Sequence, residues 1–312
     1  MSGRRPGRGV IIGIAAVVLI VVGSCIVLAL WLTSRGDSPE AAAQRYLDAL
    51  ATGEADEVRA TLAADAAPDG TLDAFEAATA YLTQPRVGDT KTTADTATVS
   101  ASYFLAGGMR MVEFTVRRVD GRWVPGTDAL GEIVATTSVG DAVSIGDVVL
   151  ETSAPLVALP AAYDVTAAPA QVLTGTAEAV VTPGATTEVA VEASLSPDAA
   201  SSAQPAVDAY LETCTASSPE APAATSPEAC GIGIPWGADL ASADGFVFRV
   251  ETLPTVALDA TGGFLASGGS YVVTVSGVKR DGTAGSFTYR DDAWTLRGAL
   301  TFEGGELVLK AW

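Results

Sequence analysis

The chain has 312 residues, with 37 acidic and 18 basic side chains and a formal net charge of −19. A surface this acidic repels nucleic acid and anionic lipid headgroups, and no nucleic-acid partner is expected. It contains no histidine, which removes His-dependent triads, His-ligated zinc or haem, and imidazole proton transfer from consideration.

Residues 10–32, VIIGIAAVVLIVVGSCIVLALWL, carry no charge and no proline over 23 positions. As a helix this run is about 34 Å long, enough to cross a hydrocarbon core of about 30 Å. Arg4, Arg5 and Arg8 precede it, and Asp37 and Glu40 follow it. The positive-inside tendency then places residues 1–9 in the cytoplasm, and residues 33–312 outside the cell membrane. The run is too long for the core of a cleaved signal, and it ends in Leu30-Trp31-Leu32 rather than in small residues. Val22-Gly23-Ser24-Cys25 leaves lipidation of Cys25 open, although the apolar stretch after it suits a thiol inside a membrane helix.

After a linker at 33–37, Ser38-Pro39-Glu40 is a helix start: an N-cap, a proline at the first helical position and an acid against the positive helix end. Ala43, Tyr46, Leu47 and Leu50 form one apolar stripe, and Gly53 ends the helix. Two more helices are expected over 54–64 and 71–82. The period then drops to two: Val99, Ala101 and Tyr103, followed by Val112, Phe114 and Val116, read as antiparallel strands. Asp120-Gly121 is a hairpin turn leading into Trp123.

Helices followed by hairpins make an α+β pattern. The phrase SPEAAAQRYLDALATGEADEVRATL, with strands closing on VDGRWV, resembles the nuclear transport factor 2-like superfamily, particularly its small extracytoplasmic bacterial members of uncharacterised function. The resemblance implies a cone over 38–127, in which helices pack into a bent antiparallel sheet. It also implies an internal pocket where an Asp or Tyr can move protons in the enzymes of that superfamily. Tyr46, Asp65, Tyr81 and Tyr103 are the residues to inspect for that role.

Residues 128–200 show strand-like runs at 142–150, 163–166, 177–181 and 187–195 with no helical period, so a small β-sandwich-like domain is expected there. The phrase at 158–165, with Tyr163, is similar to the edge of small immunoglobulin-like surface modules, with Ala161 in place of a glycine. Over 201–312 a second α+β domain follows. Pro205 to Leu211 echoes Ala42 to Leu47, aligning Tyr210 with Tyr46. The segment around Trp294 echoes that around Trp123, which suggests a duplicated cone.

Cys214 and Cys230 lie on the outer side, with prolines between them, and are expected to form a disulfide. Ser276 and Lys279 match the S-x-x-K spacing of penicillin-recognising enzymes, but Tyr271 to Val278 alternates as a strand and Arg280 to Thr283 reads as a turn. Gly231 to Gly237 reads as a tight turn, and Asp291-Asp292 as another. No catalytic, cofactor-binding or metal-ligating residue is assigned. The expectation is a single-pass envelope protein whose outer region binds or scaffolds an envelope protein, a wall component or a small apolar ligand, its other partner being the bilayer. The rivals are a cofactor-independent cone-pocket enzyme of isomerase or hydratase type and an accessory of cell-wall synthesis.

Overall fold

The computed structural model describes residues 38–216, 230–259 and 261–312. The expected tail at 1–9, membrane helix at 10–32 and linker at 33–37 lie outside the described residues. Among those described, no helix is long and apolar enough to cross a membrane. The fold is α+β and rich in strands. Its described residues fall into two compact units. The first comprises the chain up to Ile133 together with Leu156–Tyr163 and Val180–Thr187; the second comprises Val134–Pro155, Asp164–Ala179 and Glu188–Trp312.

The first unit opens with α1 (Pro39–Thr52), capped by the Ser38 hydroxyl, which accepts from the Ala41 N–H at 3.2 Å, and closed by Gly53 at φ 77°. The expected stripe is buried: Ala43, Tyr46, Leu47 and Leu50 are all fully covered, each large apolar side chain contributing about 1.5–3 kcal/mol. Next come α2 (Ala55–Thr61) and α3 (Thr71–Glu76). The third helix is half the expected length. The Thr79 N–H donates to the Ala162 carbonyl at 2.8 Å, and Ala80 bridges the same residue, so this backbone is recruited to a strand instead. The sheet follows in chain order: β1 (Thr83–Thr93), β2 (Thr96–Leu105), β3 (Gly108–Val119) and β4 (Arg122–Pro125). The β3–β4 turn is at Asp120-Gly121, with φ of 50° and 81°, the primed-turn geometry that Asp-Gly favours.

The middle of the chain supplies nine strands. These are β5 (Gly131–Thr137), β6 (Ala142–Ile145), β7 (Val148–Glu151), β8 (Pro155–Ala158), β9 (Ala162–Ala167), β10 (Leu173–Thr174), β11 (Thr176–Val180), β12 (Thr186–Val191) and β13 (Ser194–Leu195). They form sheets in the orders β11-β9-β6-β7, β12-β5-β8 and β10-β13. The Tyr163 hydroxyl donates to the Leu159 carbonyl at 2.6 Å inside the phrase singled out above.

The second unit carries α4 (Ala199–Thr215) and then a sheet in the order β14-β16-β17-β18, with β15 also pairing β16. The strands are β14 (Leu240–Thr252), β15 (Thr255–Leu258), β16 (Gly263–Lys279), β17 (Ala284–Glu303) and β18 (Glu306–Ala311). Asp281-Gly282 is the expected turn, with the Asp281 carboxylate accepting from Thr283 N–H and hydroxyl. Asp291-Asp292 is not a turn. Both residues lie within β17, at an irregularity where Tyr271 pairs with Asp291 and Gly269 with Trp294. The Asp291 carboxylate accepts the Ala293 N–H at 2.8 Å, satisfying locally the backbone that the bulge leaves over.

One device recurs in both units. Gln44, the sixth residue of α1, donates from its amide to Asp48 at 2.8 Å and to the Pro85 carbonyl at 3.4 Å, and accepts from the Val87 N–H at 3.2 Å. Gln204, the sixth residue of α4, donates to Asp208 at 2.7 Å and to the Pro254 carbonyl at 3.0 Å, and accepts from the Val256 N–H at 2.8 Å. Each amide takes the place of one rung of a neighbouring strand, covering backbone of β1 or β15 that would otherwise stand open. These four-residue clamps set a different register from the echo read in the sequence. Tyr210 lies one helical turn beyond the counterpart of Tyr46, and it is half-buried where Tyr46 is fully buried. Trp123 follows the last hairpin turn of its sheet, whereas Trp294 precedes the corresponding turn at Gly304-Gly305.

Candidate functional site

Inside the first unit, alternation along β2 and β3 turns Val99, Ala101, Tyr103, Phe114 and Val116 toward α1, all of them buried. The Tyr46 ring meets Phe114 edge-on at 5.9 Å, and its hydroxyl donates to the Ala129 carbonyl at 2.8 Å. The Tyr81 hydroxyl donates to the Phe75 carbonyl at 3.1 Å. Asp65 is not in this interior. It lines a separate cavity of about 480 Å³ in the same unit, along with Asp128 and Glu132. The Asp128 carboxylate is engaged there by the Thr115 N–H at 2.9 Å and hydroxyl at 2.7 Å.

Tyr103 differs from its neighbours. It is buried, yet among the described residues its hydroxyl has no hydrogen-bond partner, and the Nε of Arg110 is a second buried polar atom without one. The two residues are direct cross-strand partners on β2 and β3, so their side chains leave the same face of the sheet. Burial pushes the Tyr103 phenol up to about 12, with the Arg110 charge pulling the other way. The pair therefore presents donors that do not shuttle protons near neutral pH. Arg110 carries a signal in the sequence: it is a charged residue on the inward phase of the Arg110, Val112, Phe114, Val116 alternation.

In the second unit Cys214 and Cys230 are joined by the expected disulfide, with Cα atoms 6.0 Å apart. It is built into a core: both cysteines are buried, and the Cys230 carbonyl accepts from the Trp294 indole N–H at 3.0 Å. Trp294 packs edge-on against Tyr271 at 5.3 Å, and Tyr271 against Phe248 at 5.9 Å. Burial, then the Asp291 carboxylate opposite, raise the Tyr271 phenol to about 12. Gly231 follows with φ 64°, its Cα facing the Thr295 carbonyl so closely that no side chain fits. Ser276 and Lys279 stand on strand β16, not at a helix start. Among the described residues no cluster of three His, Cys, Asp or Glu is placed to hold a metal ion.

On the sheet faces opposite these interiors lie two grooves, one in each unit. A cavity of about 500 Å³ runs over Gly88, Ser100 and Glu113, beside Met111. Another of about 410 Å³ runs over Ala257, Leu265 and Arg297, beside Trp312. Comparison of the chain with protein-family models, with characterised proteins and with solved structures yields no match.

Proposed function

We propose that the protein is a single-pass, membrane-anchored component of the cell envelope, with its N-terminus in the cytoplasm and a non-catalytic binding or scaffold region outside. In this reading the two helix-and-sheet units are cone-like members of the nuclear transport factor 2-like kind, one a diverged copy of the other. The shared glutamine clamps, at the same position in each helix and on the same Pro-x-Val step of a strand, favour duplication. The Cys214–Cys230 bridge suits an oxidising compartment, in keeping with the uncharged run at 10–32 and the arginines before it.

The observation that carries the non-catalytic part is the Tyr103–Arg110 pair. A phenol raised to about 12 and a guanidinium can hold an acceptor group but are poor bases at neutral pH. They fit recognition of a polar acceptor on an otherwise apolar ligand or partner segment. Topology is tested in intact cells with a membrane-impermeant thiol reagent, using Gly3→Cys and Thr98→Cys introduced separately into a Cys25→Ser chain. Labelling of the Thr98 variant alone supports the reading; labelling of the Gly3 variant, or recovery of the chain free of membranes, defeats it. Binding is tested by photocrosslinking from position 112, the next residue on the same phase of the strand, in the full-length chain with Arg110 intact. A captured species lost in Tyr103→Phe supports a recognition site, and capture of nothing counts against one.

A further inference from the structure

The two grooves occupy the same place in their units. The clamped residues Val87 and Val256 pair with Ala101 and Ala266, which are buried toward the helices. The next step along each strand faces the other way. In the first unit that step is a cross-strand row of Gly88, Ser100 and Glu113, with Gly88-Asp89 bulged opposite Ser100. In the second unit the row is Ala257, Leu265 and Arg297. The clamps thus put Glu113 and Arg297 at equivalent positions with opposite charge.

The match extends beyond that pair. The first groove bears Arg86 as well as Glu113 and Asp89, and the second bears Arg297 as well as Asp259, whose carboxylate accepts from Thr261 and Gly263 in its own loop, so Arg297 has two acids to meet and the first groove keeps one acid in excess. Among the described residues, neither Arg86 nor Arg297 is engaged in an ion pair. Both rims are apolar. Met111, 83% exposed, continues into Met109 and Phe104 on one side, and Trp312, 70% exposed, stands by Leu265 on the other. Methionine adapts to the shape it meets, and tryptophan is a favoured interface anchor. In a chain of net charge −19, copies repel one another except where charges are matched.

We propose that the grooves are the two halves of a self-association surface, the groove over Glu113 on one copy seating on the groove over Arg297 of a second copy. Every chain carries both halves, so each of two copies offers the other a complementary face.

The test uses the full-length chain in density-matched detergent micelles, by sedimentation equilibrium. Wild type is expected to dimerise, Glu113→Arg and Arg297→Glu each to weaken the dimer about tenfold or more, and the double charge exchange to restore it. Restoration by the double variant separates lost contact from lost folding. In a Cys25→Ser background, Met111→Cys chains mixed with Trp312→Cys chains should oxidise to a mixed covalent dimer. A chain that stays monomeric, single charge reversals that leave the dimer unchanged, or Met111→Cys chains that crosslink mainly with themselves would each overturn the proposal.

Discussion

Two buried tyrosines on facing elements of one interior have opposite energetic roles. The Tyr46 hydroxyl is satisfied by the Ala129 carbonyl, while that of Tyr103 has no partner among the described residues. Tyr46→Phe should therefore lower stability by about 1 kcal/mol, whereas Tyr103→Phe should leave it unchanged or raise it by up to about 1 kcal/mol; urea unfolding of both variants checks the contrast. The fold favours the neutral Tyr103 phenol. Its contribution is fully present below pH 10 and is lost as pH rises through about 12, so Tyr103→Phe should flatten the decline in stability over that interval. The clamps belong at this scale too. Gln204→Ala removes three hydrogen bonds and bares part of a sheet edge, and should cost about 1–2 kcal/mol. Gln44→Ala, whose bonds are longer and more exposed, should cost less.

Elements formed where local chemistry and tertiary demand agreed. The Ser38-Pro39 start of α1 and the turns at Asp120-Gly121 and Asp281-Gly282 could be read from the residues because capping and positive φ are local requirements. Strand β1 could not. It is an edge strand whose residues are mostly exposed, without apolar alternation to mark it. The helix from Thr71 was overestimated because its later residues find backbone partners at Ala162, more than 80 positions away in sequence. Asp291-Asp292 has turn chemistry but lies in a long strand whose partner continues past it. Turn and close-packed glycines should respond differently to substitution. Gly282→Ala, in open space at φ 83°, should cost about 1 kcal/mol, whereas Gly231→Ala, facing the Thr295 carbonyl, should cost several times more, as read from urea midpoints.

For the whole molecule, the disulfide ties α4 to the core around Trp294, closing a loop with a sequence separation of 16. Its reduction should cost about 3 kcal/mol in the chain-entropy description. A thiol assay on the denatured, unreduced chain should label Cys25 alone; label at Cys214 or Cys230 would contradict the bridge. That pairing was legible because the chain has three cysteines, of which Cys25 falls in the apolar run. Composition and short-range pattern by themselves determined the absence of histidine chemistry, the α+β class, the first helix, the main hairpins and the cysteine pair. All of these depend on residue identity or on neighbours a few positions apart. Tertiary structure alone decided the clamp on each sheet edge, the burial of the Tyr103 hydroxyl beside the Arg110 Nε without a hydrogen-bond partner among the described residues, and the opposite charges of Glu113 and Arg297 at equivalent positions. These depend on strand register, where a shift of one residue moves every side chain to the other face, and the echoes at Tyr210 and Trp294 were too short to set that register.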